Sequence, residues 1–188
     1  REWDDLIAML RAFRLRKSWI TQGGGNKSEL AKWVDGFLGR RGWVEKQFAT
    51  AMVVDETKLE SPTHKVDCYK NQIALELEWN NKDPFYDRDL NNFRLLFDLR
   101  AISVGVILTR CDELQEIFNA LGRGSSYGNS TTHLSKLLPR VEGGGGAGCL
   151  RGANVGAAGC LELGVGGGDG NAGRLALLGP QGCEGLGG

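Results

Sequence analysis

Three carboxylates stand at a spacing that suits metal chemistry: Asp67, Glu76 and Glu78, within the stretch V-D-C-Y-K-N-Q-I-A-L-E-L-E-W-N-N at 66–81. Between Ile73 and Trp79, Ile73, Leu75, Leu77 and Trp79 alternate with Ala74, Glu76 and Glu78. Period-two alternation reads as a strand with one face in the core, so both glutamates project from the other face. They are then about 7 Å apart, from a rise of roughly 3.3–3.4 Å per residue. Val66–Tyr69 is expected to pair back through Lys70-Asn71-Gln72, which brings Asp67 beside Glu76. Carboxylates that converge repel one another unless a cation lies between them, and an all-oxygen donor set suits Mg²⁺. The expectation is a hard-metal site on a sheet.

The flanking segments must position that hairpin. Trp3, Leu6, Ile7, Leu10 and Phe13 recur at helical spacing, and the helix runs into a basic stretch with Arg11, Arg14, Arg16 and Lys17. Those cations suit a solvated helix end or phosphate contact. In I-T-Q-G-G-G-N-K-S-E-L, Asn26 as N-cap and Glu29 three residues on predict a second helix with the apolar face Leu30, Trp33, Val34, Phe37 and Leu38. The glycines before it offer backbone N–H groups to a phosphate, although the spacing is not that of a nucleotide P-loop. Gly24, Asn26 and Lys27 are the candidates for DNA contact, with a plain linker as the alternative. Phe48–Val54 reads as a strand, and His64 as structural or DNA-facing.

After the glutamates, N-N-K-D-P-F-Y-D-R-D is a polar loop. Asn80, Asn81 and Lys82 could meet a base edge or the backbone, or simply build a turn. Leu90, Phe93, Leu96 and Phe97 form a helical stripe started by Asp87 or Asp89. Ile102–Leu108 is an apolar run suited to a central strand buried on both faces. Leu114, Ile117, Phe118 and Leu121 mark another helix. This order gives an α/β fold with a central mixed sheet flanked by helices. Residues 122–133, G-R-G-S-S-Y-G-N-S-T-T-H, form a long polar loop, and Arg123, Ser125, Ser126, Asn129, Thr132 and His133 have the groups that read bases or grip phosphates.

Composition sets bounds. At 188 residues the chain fits one domain with a real core. Its formal net charge is zero, so DNA binding must rest on local basic clustering rather than on the total. Five scattered cysteines without a C-x-x-C pair argue against a cysteine zinc site and for a reducing cytoplasm. No apolar run approaches the ~18 residues of a membrane span. The chain begins at Arg1, so a native start is expected to be missing.

An Asp on one strand followed by Glu-x-Glu or Glu-x-Lys on the next resembles the PD-(D/E)XK nuclease pattern. The longer run K-V-D-C-Y-K-N-Q-I-A-L-E-L-E-W-N-N-K-D-P-F-Y-D-R-D-L-N-N-F-R-L-L-F, 65–97, resembles type II restriction endonucleases of the BglII/BstYI group, over about 1–148. That resemblance implies a Mg²⁺-dependent enzyme cutting both strands of DNA at a short palindromic site, which in the closest enzymes contains GATC. It implies Asp67 and Glu76 as metal ligands, with the Leu77 carbonyl as a further one. It also implies Glu45 as an added acidic residue from a helix before the first active-site strand. Glu78 stands where many relatives carry Lys; a carboxylate there could accept a proton from the attacking water or hold a second metal. A homodimer follows from the two-fold symmetry of a palindrome. A DNA methyltransferase of the same system is the implied functional partner, without a stable complex. Three other readings stay open: a DNA-binding relative that does not cleave, a nuclease fold used on another substrate such as repair or structured DNA, and a structural or assembly domain whose acidic strand faces water.

The last segment differs in character. Of the 46 residues from Gly143 onward 19 are glycine, with no aromatic residue, which leaves little to bury against the cost of ordering the backbone. The reading is an endonuclease domain at 1–148 and an atypical tail at 149–188, either frameshifted near Cys149 or naturally low in complexity, with no strand expected in it.

Overall fold

The computed structural model describes residues 1–22, 27–145, 159–164 and 172–178. Gly24 and Asn26, the proposed frameshift point at Cys149 and most of the tail lie outside them.

The acidic hairpin forms as its alternation predicts. β4 (Val66–Lys70) and β5 (Ile73–Glu78) pair antiparallel, with Cys68 opposite Leu75 and Tyr69 opposite Ala74. The tight turn between them puts Asn71 and Gln72 at φ 46° and 65°, a left-handed conformation that matches strand twist in two-residue hairpins. β1 (Val44–Lys46) flanks β4, and β6 (Val104–Arg110) runs parallel to β5. β8 (Ala172–Leu178) adds antiparallel to β6, and β7 (Gly159–Gly164) to β8. Among the described residues the sheet order is β1-β4-β5-β6-β8-β7. The last two strands correct the expectation that the tail holds none.

β5 departs from the one-sided reading. Ala74, Leu75, Glu76, Leu77 and Glu78 are all buried, so its glutamate face does not look into water. One face of the sheet packs Leu75, Leu77, Trp79, Val106 and Leu108 against α1 (Glu2–Ala12), α3 (Glu29–Gly39) and α5 (Leu114–Ala120). The other packs Ala74 and Ile107 against Tyr86, Leu90, Phe93 and Leu96 of α4 (Phe85–Asp98) and against α6 (Leu134–Glu142). Each buried Leu or Val contributes about 1.5–3 kcal/mol. α4 is the crossover between the parallel strands β5 and β6. It lies close because Gly105 has no side chain: a Cβ there would sit 2.5 Å from the Phe93 ring.

Several local details differ from the sequence reading. α3 is capped by Ser28, whose Oγ accepts from the Ala31 N–H, and not by Asn26. α2 (Lys17–Thr21) and α6 were not foreseen: α2 is only five residues long and α6 carries Pro139 within it, so neither gives a clear helical stripe. The expected strand 48–54 is shorter, as β2 (Ala51–Val54), which pairs only with β3 (Thr57–Glu60) in a separate two-stranded sheet. No helix among the described residues is long and apolar enough to cross a membrane.

Candidate active site

Just beyond the Cys68–Leu75 pair of β4 and β5, Asp67 and Glu76 come together. The two are coupled through the backbone: Asp67 N–H donates to Glu76 Oε2 at 3.3 Å, and Leu77 N–H donates to Asp67 Oδ2 at 2.9 Å. Glu78, one pleat further, accepts from Asn81 Nδ2 at 2.9 Å and from Arg88 Nη2 at 3.4 Å. A fourth acid joins from α4. Asp89 is wholly buried and takes Arg88 on its Oδ1 at 2.7 Å.

Such crowding works against ionisation. Burial, followed by the charges of Asp89 and Asp67, pushes Glu76 up to about 10. Burial and Asp89 likewise push Glu78 up. Asp67 is also raised by burial, against the Leu77 N–H that favours its charged form. Glu76 Oε1 and Asp89 Oδ2 are buried and have no hydrogen-bond partner. Buried oxygens are normally satisfied, and carboxylates held together without protons need a cation. The donor set therefore fits a divalent metal ion. Ligand atoms of His64, Glu76 and Asp89 all lie within 4.8 Å of one another, a grouping that does not include Asp67.

Glu45 is not drawn into this cluster. It sits on strand β1, not on a helix, and is exposed, with Lys65 Nζ donating to it at 2.8 Å. That partner holds its carboxyl below the usual range.

A cleft of about 640 Å³ opens at the end of the hairpin. Asp67, Leu77, Asn80, Asn81, Lys27 and Arg123 line it, so an acidic strand end and residues from three separated segments share one space. Asn80 Oδ1 and Arg123 Nε are buried there without a partner. Lys27 is already paired with Asp35, which raises its affinity for its proton.

A model of the restriction endonuclease BglII/BglIII family matches residues 1–149. The chain belongs to this family. The mixed sheet flanked by helices is consistent with the PD-(D/E)XK fold of such enzymes, and the family makes the chain a nuclease that acts on DNA. A comparison with curated proteins finds no match.

In this restriction-endonuclease fold the two polar loops are docked on each other. Lys82 and Thr131 form an isolated antiparallel bridge, Thr132 N–H donates to the Asn81 carbonyl at 2.8 Å, and Asn80 Nδ2 donates to the Ser126 carbonyl at 3.1 Å. Residues 124–127 form a 3-10 turn, so the 122–133 segment is not the structureless loop that its composition suggests. Thr132 and His133, expected at the DNA, are buried with their hydrogen bonds spent inside: Thr132 Oγ1 accepts from Asn81 N–H, and His133 Nδ1 lies 2.7 Å from the Thr131 carbonyl. Ser125, Ser126 and Asn129 are exposed, as are Lys82 and, on the N-terminal segment, Arg16 and Lys17. Arg16 lies 5.4 Å over the Trp19 ring.

Sequence reasoning missed what holds this loop. Arg110, at the end of β6, is 1% exposed and donates to the carbonyls of Thr132 and Tyr127 and to Thr131 Oγ1. Its neighbour Thr109 donates to the Glu78 carbonyl at 2.8 Å. A lone arginine closing an apolar strand run was the available signal. The grouping of His64 and Asp89 with Glu76 was not visible in the sequence because each was read alone, one as a structural or DNA-facing histidine and the other as a helix start.

Proposed function

We propose that the protein is a type II site-specific endodeoxyribonuclease that hydrolyses both strands of a short palindromic site, containing GATC as in the enzymes it resembles, with Mg²⁺ as cofactor. One observation carries this reading: Asp67 and Glu76 are hydrogen-bonded to each other between β4 and β5, and Asp67 also lines a cleft with Lys27, Asn80, Asn81 and Arg123.

Asp67, Glu76 and the Leu77 carbonyl would hold the metal, which supplies Lewis acidity toward the phosphate and lowers the pKa of bound water. The protein's own groups do the rest. Glu78, hydrogen-bonded to Asn81 and Arg88, would take the proton of the attacking water as a carboxylate, the form that a bound cation beside it favours. Asn80 and Arg123 carry unpartnered polar atoms in the cleft and meet bases or phosphates. Arg16, Lys17, Lys82, Ser125, Ser126 and Asn129 add backbone contacts from the exposed segments. A palindrome calls for a second copy of the chain, so the working enzyme is a homodimer. A cytoplasmic setting with a cognate methyltransferase that protects host DNA completes the reading.

The test is incubation of unmethylated plasmid with Mg²⁺, beside an EDTA control and Glu76→Ala. Discrete fragments that vanish in both controls are expected, and their ends give the site. Fragments that persist in Glu76→Ala would overturn the assignment.

A further inference from the structure

We propose that His64, Glu76 and Asp89 form a second cation site, on the α4 side of β5, that takes Mn²⁺ or Co²⁺ in preference to Mg²⁺. Three observations meet there. Ligand atoms of the three residues lie within 4.8 Å of one another, so one ion could touch all three. Glu76 and Asp89 are 1% and 0% exposed, and each leaves one buried oxygen, Oε1 and Oδ2, without a partner. Their other oxygens are committed elsewhere, Glu76 Oε2 to Asp67 N–H and Asp89 Oδ1 to Arg88, which leaves the unpartnered atoms for a ligand.

The charge also balances. Asp89 lies close enough to Glu76 and Glu78 to act on both, and Arg88 is the cation that bridges Glu78 and Asp89. With Asp67 assigned to the proposed catalytic position, two negative charges remain on these three acids and Arg88 when all three are ionised, which one divalent ion neutralises. The ligand types decide which ion. Mg²⁺ demands oxygen donors and keeps its water, whereas an imidazole nitrogen beside two carboxylates suits Mn²⁺, Co²⁺ or Zn²⁺. His64 is exposed, so the site is reached from solvent, and Asn92 Nδ2 donates to the His64 carbonyl at 3.5 Å and ties that residue to α4.

The site shares Glu76 with the proposed catalytic pair but does not rest on the nuclease reading, since only cation chemistry enters the argument. As Glu76 would reach both positions, an ion here would set the orientation of its carboxylate toward Asp67.

The test uses the full chain without DNA. It has two histidines, His64 and His133, so their ring resonances are separable by proton NMR and assigned with His64→Ala. Substoichiometric MnCl₂ is expected to broaden His64 and leave His133 sharp, while an excess of MgCl₂ does not reverse it. Calorimetry is expected to show Mn²⁺ affinity reduced about ten-fold or more in both Asp89→Asn and His64→Ala. The second of these changes an exposed side chain and keeps the fold. Equal broadening of both histidines, or Mn²⁺ affinity unchanged in His64→Ala, would overturn the proposal. Asp67→Asn separates the two readings: selective broadening that survives in it supports a distinct site, and its loss would overturn one. A wild-type chain that cuts no DNA yet shows the broadening would sink the nuclease reading and leave this site standing.

Discussion

Two hairpins of this chain use the same turn and meet opposite fates. β2–β3 turns through Asp55 and Glu56 at φ 46° and 68°, almost the geometry of Asn71 and Gln72 in β4–β5. Every residue of β2 and β3 is exposed, Val53 at 71%, whereas β5 is buried along nearly its whole length. Local turn chemistry therefore makes the hairpin, and the neighbours decide what it can do. Only β4–β5 is roofed by helices on both faces, and only there do carboxylates lose water and need a cation.

Substitutions sharpen the contrast, and the largest effect falls on chemistry. Asp67→Asn and Glu76→Gln are expected to lower the cleavage rate by at least ~10³-fold, a few kcal/mol of barrier, while Val53→Thr in the exposed hairpin leaves it within two-fold; single-turnover assays decide this. Packing follows. Gly105→Ala is expected to destabilise by about 1–3 kcal/mol, since Phe93 is itself fully buried and has no room to withdraw, whereas Val53→Ala stays within about 0.5 kcal/mol in urea unfolding.

A third contrast lies in pH. Folded Glu76 holds its proton up to about 10 against an ordinary value of 4.5, so its contribution to stability is full below 4.5 and is lost as pH rises toward 10. The raised Glu78 acts with the same sign. Between about pH 7 and 8.5 the lowered histidines are neutral and unchanging, so the metal-free protein is expected to lose urea resistance there. Divalent metal, by replacing protons, is expected to reverse the loss and to bind more tightly as pH rises. Stability that climbs over this range without metal would contradict the raised values. The smallest effect is expected at the turns. Glu56→Gly relieves a left-handed residue and gains up to about 1 kcal/mol. Gln72→Gly gains less, because Gln72 Oε1 also accepts from Ser103 Oγ at 2.7 Å.

Much of this was legible because it is periodic. Alternation in Ile73–Trp79 gave β5 and the facing of Asp67 and Glu76, helical stripes gave α1, α3, α4 and α5, and the apolar run gave β6. What stayed hidden depends on residues far apart in the chain. Asp89 lies eleven residues beyond Glu78 and meets it only because Gly105 lets α4 settle on the sheet. His64 gains meaning only from the two buried acids beside it. Arg110 looks like the end of a strand, yet it ties down a loop whose polar residues suggest solvent. Thr132 and His133 show why: composition marks groups able to bind DNA, whereas both are buried here with hydrogen bonds inside the loop.

The central claim is that the Asp67–Glu76 pair hydrolyses DNA. It is tested most directly by comparing wild type with Asp67→Asn on the same labelled duplex, measuring binding in Ca²⁺ and cleavage in Mg²⁺. The account predicts binding within a few-fold of wild type and cleavage reduced by at least ~10³-fold. Cleavage by Asp67→Asn within ten-fold of wild type would contradict it.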